Sequence, residues 1–438
     1  MKKELINFPY LTKPISLYTL DNGHKIALAY KEGALVNISS WVKTGSINEN
    51  DKNNGVSHFL EHLMFKGTEK YKAGEFDKMM ETKGGIINAA TWKDYTFYYI
   101  TIPKKNLDIA LEMHSDMMVN ITLPEEEIGP AFDINGEIPE SKRERYVVLE
   151  EIKMRQDDNW SKVYETLNDS MYENHPYKRK VIGTPEIISQ ISRDEIMDYY
   201  KTFYTPQNVS TIVVGDFDEE KVLNKIIQEF QFKNTKEAPK VEKTIETTIK
   251  NPKIIEAYGE VNSGYIMFGF LADSAKNLKE TIALDIISTI LGSGKSSRLH
   301  TNLIEKAEKP HYFGVETSHF QFKDGDNFLI EANFDVEFKD QIVDEIKKEI
   351  KSLEKIEEYE LEKAKKQAKI EFANNSETVA KIGDNIGHFL TVVEDLNLAQ
   401  DYEKTIEEMT TDYIVEVAKK YITPEKCAIS ILLPNEEK

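Results

Sequence analysis

Cysteine is almost missing from this chain: Cys427 stands alone among 438 residues. That excludes an intrachain disulfide and any Cys-rich metal site, and it fits a reducing, cytoplasmic setting. Long apolar runs are missing too. No stretch of about 18 apolar residues occurs, so no membrane-spanning helix is expected, and Met1-Lys2-Lys3-Glu4-Leu5 lacks the apolar segment of a secretory signal. Positive charge is in deficit. With 56 Lys and Arg against 76 Asp and Glu, the formal charge of −20 argues against a nucleic-acid binder, which needs clustered cations. Neutral or basic peptides remain compatible partners, although an acidic surface also serves solubility. What is present, 40% hydrophobic and 30% charged residues, describes a globular protein, and 438 residues exceed one ordinary core.

Histidine is scarce as well, nine in all, yet two of the nine are His58 and His62. Four apart, they project from one face of a helix, one turn above the other, where two imidazole nitrogens can share a tetrahedral zinc. Glu61 lies on nearly the same face and can reach a water on that metal. The pattern is H-x-x-E-H, the inverse of the H-E-x-x-H zinc-protease helix. The plainer alternative is two polar residues on a half-buried helix. Local punctuation favours a purpose-built helix: Asn53-Asn54-Gly55 breaks the chain before it, Ser57 or Asn54 can cap it, and Lys66-Gly67-Thr68 stops it.

Around this stretch the chain reads as mixed α and β. Residues 17–20 and 25–30 flank Asn22-Gly23 as a hairpin, and 34–44 alternates as a strand. A helix is expected over 75–82, strands over 86–92 and 95–102, and a helix over 107–119. Residues 129–141 are rich in Gly and Pro and predict a loop. Strong helical pattern returns over 144–156 and resumes through Tyr172. The charged run 347–369 predicts one solvated helix with i,i+4 pairs.

An internal repeat emerges late. Thr205-Pro206 and Thr423-Pro424 coincide at an offset of 218 residues, each after an amphipathic helix and before a β-branched strand. The charged, Thr-rich segment 233–250 reads as a linker. Residues 1–232 and 251–438 are therefore expected to be two related domains, an α+β fold in which each domain packs helices on a mostly antiparallel sheet. Lys276 stands where the repeat would place His58, so the chemistry belongs to the first half. Gly292-Ser293-Gly294-Lys295-Ser296-Ser297 is not a phosphate loop: Thr289 occupies a required glycine position, and an apolar helix precedes it. His114, His300, His311, His319 and His388 are isolated and are expected to be structural.

A catalytic zinc needs a third protein ligand beside its water. Glu144 and Glu151 lie two turns apart on one helix face, with Val147, Val148 and Ile152 as the apolar stripe that seats it. One of the two would bind metal and the other would orient ligands or water. Glu137 and Glu140 compete from a Gly/Pro setting, Glu150 is the neighbour of Glu151, and a solvated face is the alternative for both.

His58-Phe59-Leu60-Glu61-His62 with Phe65-Lys66-Gly67-Thr68 resembles the pitrilysin/insulysin family of zinc metallopeptidases, particularly its mitochondrial-processing-peptidase-like bacterial branch. The likeness continues in Gly84-Gly85, Asn88-Ala89-Ala90-Thr91, Asp94-Tyr95-Thr96, Glu144 to Ile152, His175-Pro176-Tyr177, Gly183-Thr184 and Leu291 to Leu299. It implies a fold of two similar domains enclosing a substrate chamber. It implies zinc (Zn2+) held by His58, His62 and Glu151, Glu61 as general base and Glu144 behind the ligands. It implies a zinc endopeptidase whose peptide or unfolded-protein substrate adds as a strand beside Asn88, Ala89, Ala90 and Thr91. The gap from His62 to Glu151 exceeds the family's usual one, and segment 129–141 accounts for the excess. The rival is a non-catalytic peptide-clamping or assembly subunit, which has no need of an intact Glu61. Active members carry an arginine and, seven residues later, a tyrosine in the second domain. Here Ile304 and His311 stand at those positions, with Tyr312 one place out of register. The resemblance therefore implies a heterodimer with a related subunit carrying the Arg/Tyr pair, or a homodimer in which Tyr312 or Arg298 substitutes.

Overall fold

In the computed structural model, residues 1–136, 143–307 and 311–435 are described. They form two compact units, each with one sheet. The first unit comprises Met1–Lys153, Arg179–Glu242 and Ala373–Gln400; the second comprises Met154–Lys178, Lys243–Phe372 and Asp401–Lys438.

The sheet of the first unit holds β1 (Lys2–Ile6), β2 (Ile15–Thr19), β3 (Lys25–Tyr30), β4 (Leu35–Val42), β5 (Ile86–Thr91), β6 (Thr96–Pro103) and β7 (Val209–Gly215), in the order β1-β2-β3-β7-β4-β6-β5. The second holds β8 (Ile254–Gly259), β9 (Gly264–Leu271), β10 (Tyr312–Phe320), β11 (Asn327–Phe334) and β12 (Ala428–Pro434), in the order β10-β11-β9-β12-β8. Read from the other edge, that order repeats β3-β7-β4-β6-β5. The pairings repeat as well: β3 with β7 and β8 with β12 are parallel, and the remaining pairs are antiparallel. This is the α+β fold of two homologous domains expected from the sequence. The Thr-Pro repeat marks it locally: helix Arg193–Phe203 is capped by Ser192 and helix Thr411–Tyr421 by Thr410, and each leads through a Thr-Pro turn into β7 or β12.

The units are not contiguous in sequence, whereas the expected division at 233–250 is. Two helices account for the difference. Asn159–Met171, from the first half of the chain, lies on β9 and β12; Val379–Thr391, from the second half, lies on β4 and β7. The sequence is fitted to this exchange. A Cβ at Gly387 would come within 2.0 Å of Trp41 Cε2, and one at Gly269 within 2.4 Å of Met171 Sδ. Strand β4 is consequently buried along almost its whole length. Its Val36, Ile38 and Val42 join the helical core, and its alternate face meets Val379–Thr391. Part of the expected linker is docked within the second unit: Glu246 accepts the backbone amides of Glu173, Asn174 and His175 at 2.8, 2.8 and 2.9 Å.

Other expectations are corrected in detail. Segment 347–369 is not one solvated helix. Helix Lys339–Lys351 ends in a short turn, helix Glu358–Asn374 follows, and Ile350, Leu353, Leu361 and Ala364 are buried because both helices press an apolar stripe inward. Among the described residues no helix is long and apolar enough to cross a membrane.

Candidate metal centre

Helix Val56–Leu63 carries the two histidines and packs on β5, β6 and helix Arg193–Phe203. Val56, Phe59, Leu60 and Leu63 are buried beneath it. This apolar face leaves His58, Glu61 and His62 on the other side of the helix. Neither Ser57 nor Asn54 caps the helix as expected: the residue at its start is Gly55, in left-handed conformation at φ +97°, and Ser57 lies inside the first turn.

Helix Glu144–Asp157 brings the third donor. Glu151 Oε2 lies 3.6 Å from His58 Nε2 and 3.5 Å from His62 Nε2. One donor atom from each of His58, His62 and Glu151 lies within 4.8 Å of the other two, the one such cluster of His, Cys, Asp and Glu among the described residues. Metal–ligand distances of about 2.0–2.2 Å in a tetrahedron put neighbouring donors roughly 3.4 Å apart. Two imidazoles and one carboxylate at this spacing fit zinc, with a fourth position left for water. Glu150, one residue away, is exposed, whereas Glu151 is half-buried. Glu137 and Glu140 lie outside the described residues. In the seating stripe Val148 and Ile152 are buried, but Val147 is 42% exposed; the buried neighbours are Arg145 and Tyr146. Arg145 donates to the carbonyls of Gly129 and Ile191 at 3.2 and 2.8 Å and also to that of Ile188, and its guanidinium lies over the Phe59 ring.

Behind the cluster, Glu144 joins two partners. Its Oε2 lies 3.1 Å from His62 Nδ1, and its Oε1 accepts from Lys66 Nζ at 2.7 Å. Burial raises the Glu144 carboxyl, but the bonds from His62 and Lys66 outweigh that and leave it below the ordinary value. With Nδ1–H given to Glu144, His62 presents Nε2 toward Glu151. Burial pulls the His62 imidazole down, and its bonds to Glu144 and Glu151 reverse this, raising it to about 9. Glu61 points elsewhere: its Oε2 accepts from Thr91 Oγ1 at 2.6 Å. Burial raises the Glu61 carboxyl above the usual range, and the Thr91 bond opposes that rise.

Glu61, His62, Phe65, Lys66, Asp77, Ile87, Asn88 and Glu144 line a pocket of about 320 Å³. β5 is the edge strand beside it, bonded to β6 alone among the described strands. Asn88 and Ala90 are exposed, whereas the Thr91 side chain is buried against Glu61. Sequence reading missed Lys66, which continues the four-residue spacing of His58 and His62 and was detectable on that ground. Nothing in the local hydrophobic pattern marks Arg145 as a buried residue.

The description "Insulinase (Peptidase family M16)" matches residues 25–185, and "Peptidase M16 inactive domain" matches residues 190–368. The zinc protease PqqE of Helicobacter pylori is 30% identical over 97% of this chain and 94% of its own length. The chain belongs to the M16, or pitrilysin, peptidase family. A protease structure from Helicobacter pylori has the same fold, with a TM-score of 0.86 at 27% identity over 98% of this chain and 100% of that one. The subunit beta of the mitochondrial-processing peptidase of Bos taurus is 32% identical, over 47% of this chain and 39% of its own length. Within the M16 chain described here, the histidine helix, Glu151 and β5 all fall in the first unit.

Proposed function

We propose that this chain is a zinc endopeptidase acting on peptides or unstructured protein segments. The observation that carries the reading is the convergence of His58, His62 and Glu151 beside Glu61, a carboxylate that adjoins the donor set without entering it. Zinc held there supplies a Lewis acid that polarises the scissile carbonyl and makes water acidic enough to attack at neutral pH. The chain's own residues do the rest. Glu61 takes the proton from the attacking water and hands it to the leaving amine; a carboxyl raised by burial is the better base for this. Thr91 holds Glu61 in place, while Glu144 and Lys66 fix the His62 ring. The open edge of β5 offers main-chain amides and carbonyls to an extended peptide, which reads backbone more than side chains and supports broad specificity.

The active form pairs with a related subunit. Ile304 and His311 stand where active relatives resemble one another in Arg and Tyr, and the substitutes within the chain are engaged. Arg298 is clamped by Glu360 at 2.7 and 2.6 Å and by the Ser352 and Lys355 carbonyls; the buried Tyr312 hydroxyl donates to Glu345 at 2.9 Å. This favours a heterodimer over self-pairing, as does the likeness to a protein named as a subunit. The test is peptide cleavage by the chain alone and mixed with paralogous subunits, in wild type and Glu61→Gln. Wild type should gain turnover on mixing, and Glu61→Gln should keep zinc yet lose about 10²–10⁴ in rate. Near-wild-type cleavage by Glu61→Gln would reject the role of Glu61. Full turnover by the isolated chain, unchanged on mixing, would reject the pairing.

A further inference from the structure

The histidine helix is eight residues long, and its N-terminus carries no side-chain cap of its own. Exposed amides at a helix start need acceptors, and in a buried setting water cannot supply them. The acceptor comes from Glu49, just after the turn Ser46–Asn48 and only 3% exposed. Glu49 Oε2 accepts from the Gly55 amide and from Asn54 Nδ2, both at 2.7 Å. Glu49 Oε1 accepts from the Ser57 amide at 2.8 Å and the Ser57 hydroxyl at 2.6 Å. Four donors thus converge on one carboxylate at the positive end of the helix dipole.

The surroundings hold this arrangement closed. Ser57 Oγ lies 2.8 Å from the Tyr199 hydroxyl, which is 2.6 Å from Thr44 Oγ1. Asn54 Nδ2 also donates to the Lys180 carbonyl at 2.8 Å. Gly55 meets Gly183 so closely that a Cβ on Gly55 would lie 2.7 Å from Gly183 Cα, and both glycines have positive φ. Burial raises the Glu49 carboxyl, and the bonds from Ser57, Gly55 and Asn54 oppose that rise. Donors reach both oxygens of the carboxylate, two on each.

We propose that Glu49 is the positioning residue of the metal centre, fixing the rotation and depth of the histidine helix from its N-terminus so that His58 and His62 meet Glu151. It touches neither the donor set nor the pocket. His58 directly follows Ser57, so a helix released at Ser57 turns or frays first at the first ligand. The proposal rests on the zinc reading above.

The test uses Glu49→Gln in the full chain. Glutamine keeps the volume but sets an NH2 against two of the four donors. Zinc affinity is measured by competition with a chelator, cobalt substitution reports ligand geometry through its visible spectrum, and hydrogen exchange of the metal-free chain reads residues 55–60. Glu49→Gln should weaken zinc on the order of tenfold or more, shift the cobalt spectrum and speed exchange over 55–60. A merely structural role would lower stability and leave the affinity and spectrum of the folded chain unchanged; that outcome overturns the proposal. If wild type takes up neither metal, the zinc reading fails, and unchanged exchange in Glu49→Gln would separately overturn the positioning role. Should Glu49→Gln not fold, Ser57→Ala removes a single donor. It should weaken zinc by a smaller factor, and an unchanged affinity there overturns the proposal.

Discussion

The Thr91 hydroxyl donates to Glu61 Oε2 at 2.6 Å, tying the edge strand β5 to the histidine helix. The residue that ends the candidate peptide-binding edge therefore also holds the candidate base. Thr91→Val keeps shape and removes this bond. Without it the Glu61 carboxylate is no longer held in place, and turnover should fall by up to about 10²-fold, within the roughly 10²–10⁴ that a positioned general base contributes, with zinc content unchanged. Metal analysis beside peptide kinetics checks this; wild-type turnover in Thr91→Val would count against it.

Gly387 sits where helix Val379–Thr391 crosses Trp41. Gly387→Ala forces a methyl group against the indole, and overpacking of this kind costs about 1–3 kcal/mol. The chemical denaturation midpoint should fall and the Trp41 fluorescence should change. An unchanged midpoint would mean that the helix does not lie on β4.

The His319 side chain, 2% exposed, lies between two carboxylates, with Nδ1 2.6 Å from Asp285 and Nε2 3.2 Å from Asp326. Burial pulls the imidazole down, and Asp285 and Asp326 outweigh it, raising His319 to about 10. Its folded value thus exceeds the unfolded value of about 6.5. The protonated ring stabilises the fold fully below about pH 6.5, and that contribution is lost as pH rises through about 10. His319→Gln leaves the buried Asp326 carboxylate and the partly exposed Asp285 without their cation, a loss of about 3–5 kcal/mol near pH 6. Denaturation followed from about pH 6 to pH 10 should show the gap to wild type narrowing as pH rises. A gap independent of pH would contradict the charged state of His319.

Much of this was legible because it is local. The helices 75–82 and 107–119 have the bounds expected from periodicity, and the hairpin at Asn22-Gly23 and the edge pair β5–β6 follow from alternation and turn chemistry. The spacing of His58, Glu61 and His62 is likewise a property of one helix. What was hidden is long-range. An amphipathic helix declares an apolar face but not which sheet it covers, so the exchange of Asn159–Met171 and Val379–Thr391 left no mark beyond Gly269, Gly383 and Gly387. Glu49, in a run of polar residues, reads as a solvated acid until the fold buries it. Hydrophobicity alone predicts Val147 inward, yet it is 42% exposed, while the charged Arg145 is the residue that the fold buries.

Zinc at His58, His62 and Glu151 is tested most directly by anomalous scattering on either side of the zinc edge, from crystals grown with zinc. One peak is expected, about 2.0–2.2 Å from His58 Nε2, His62 Nε2 and a Glu151 carboxylate oxygen. A peak ligated by Glu150 or another carboxylate in place of Glu151, or no zinc at this cluster, would contradict it.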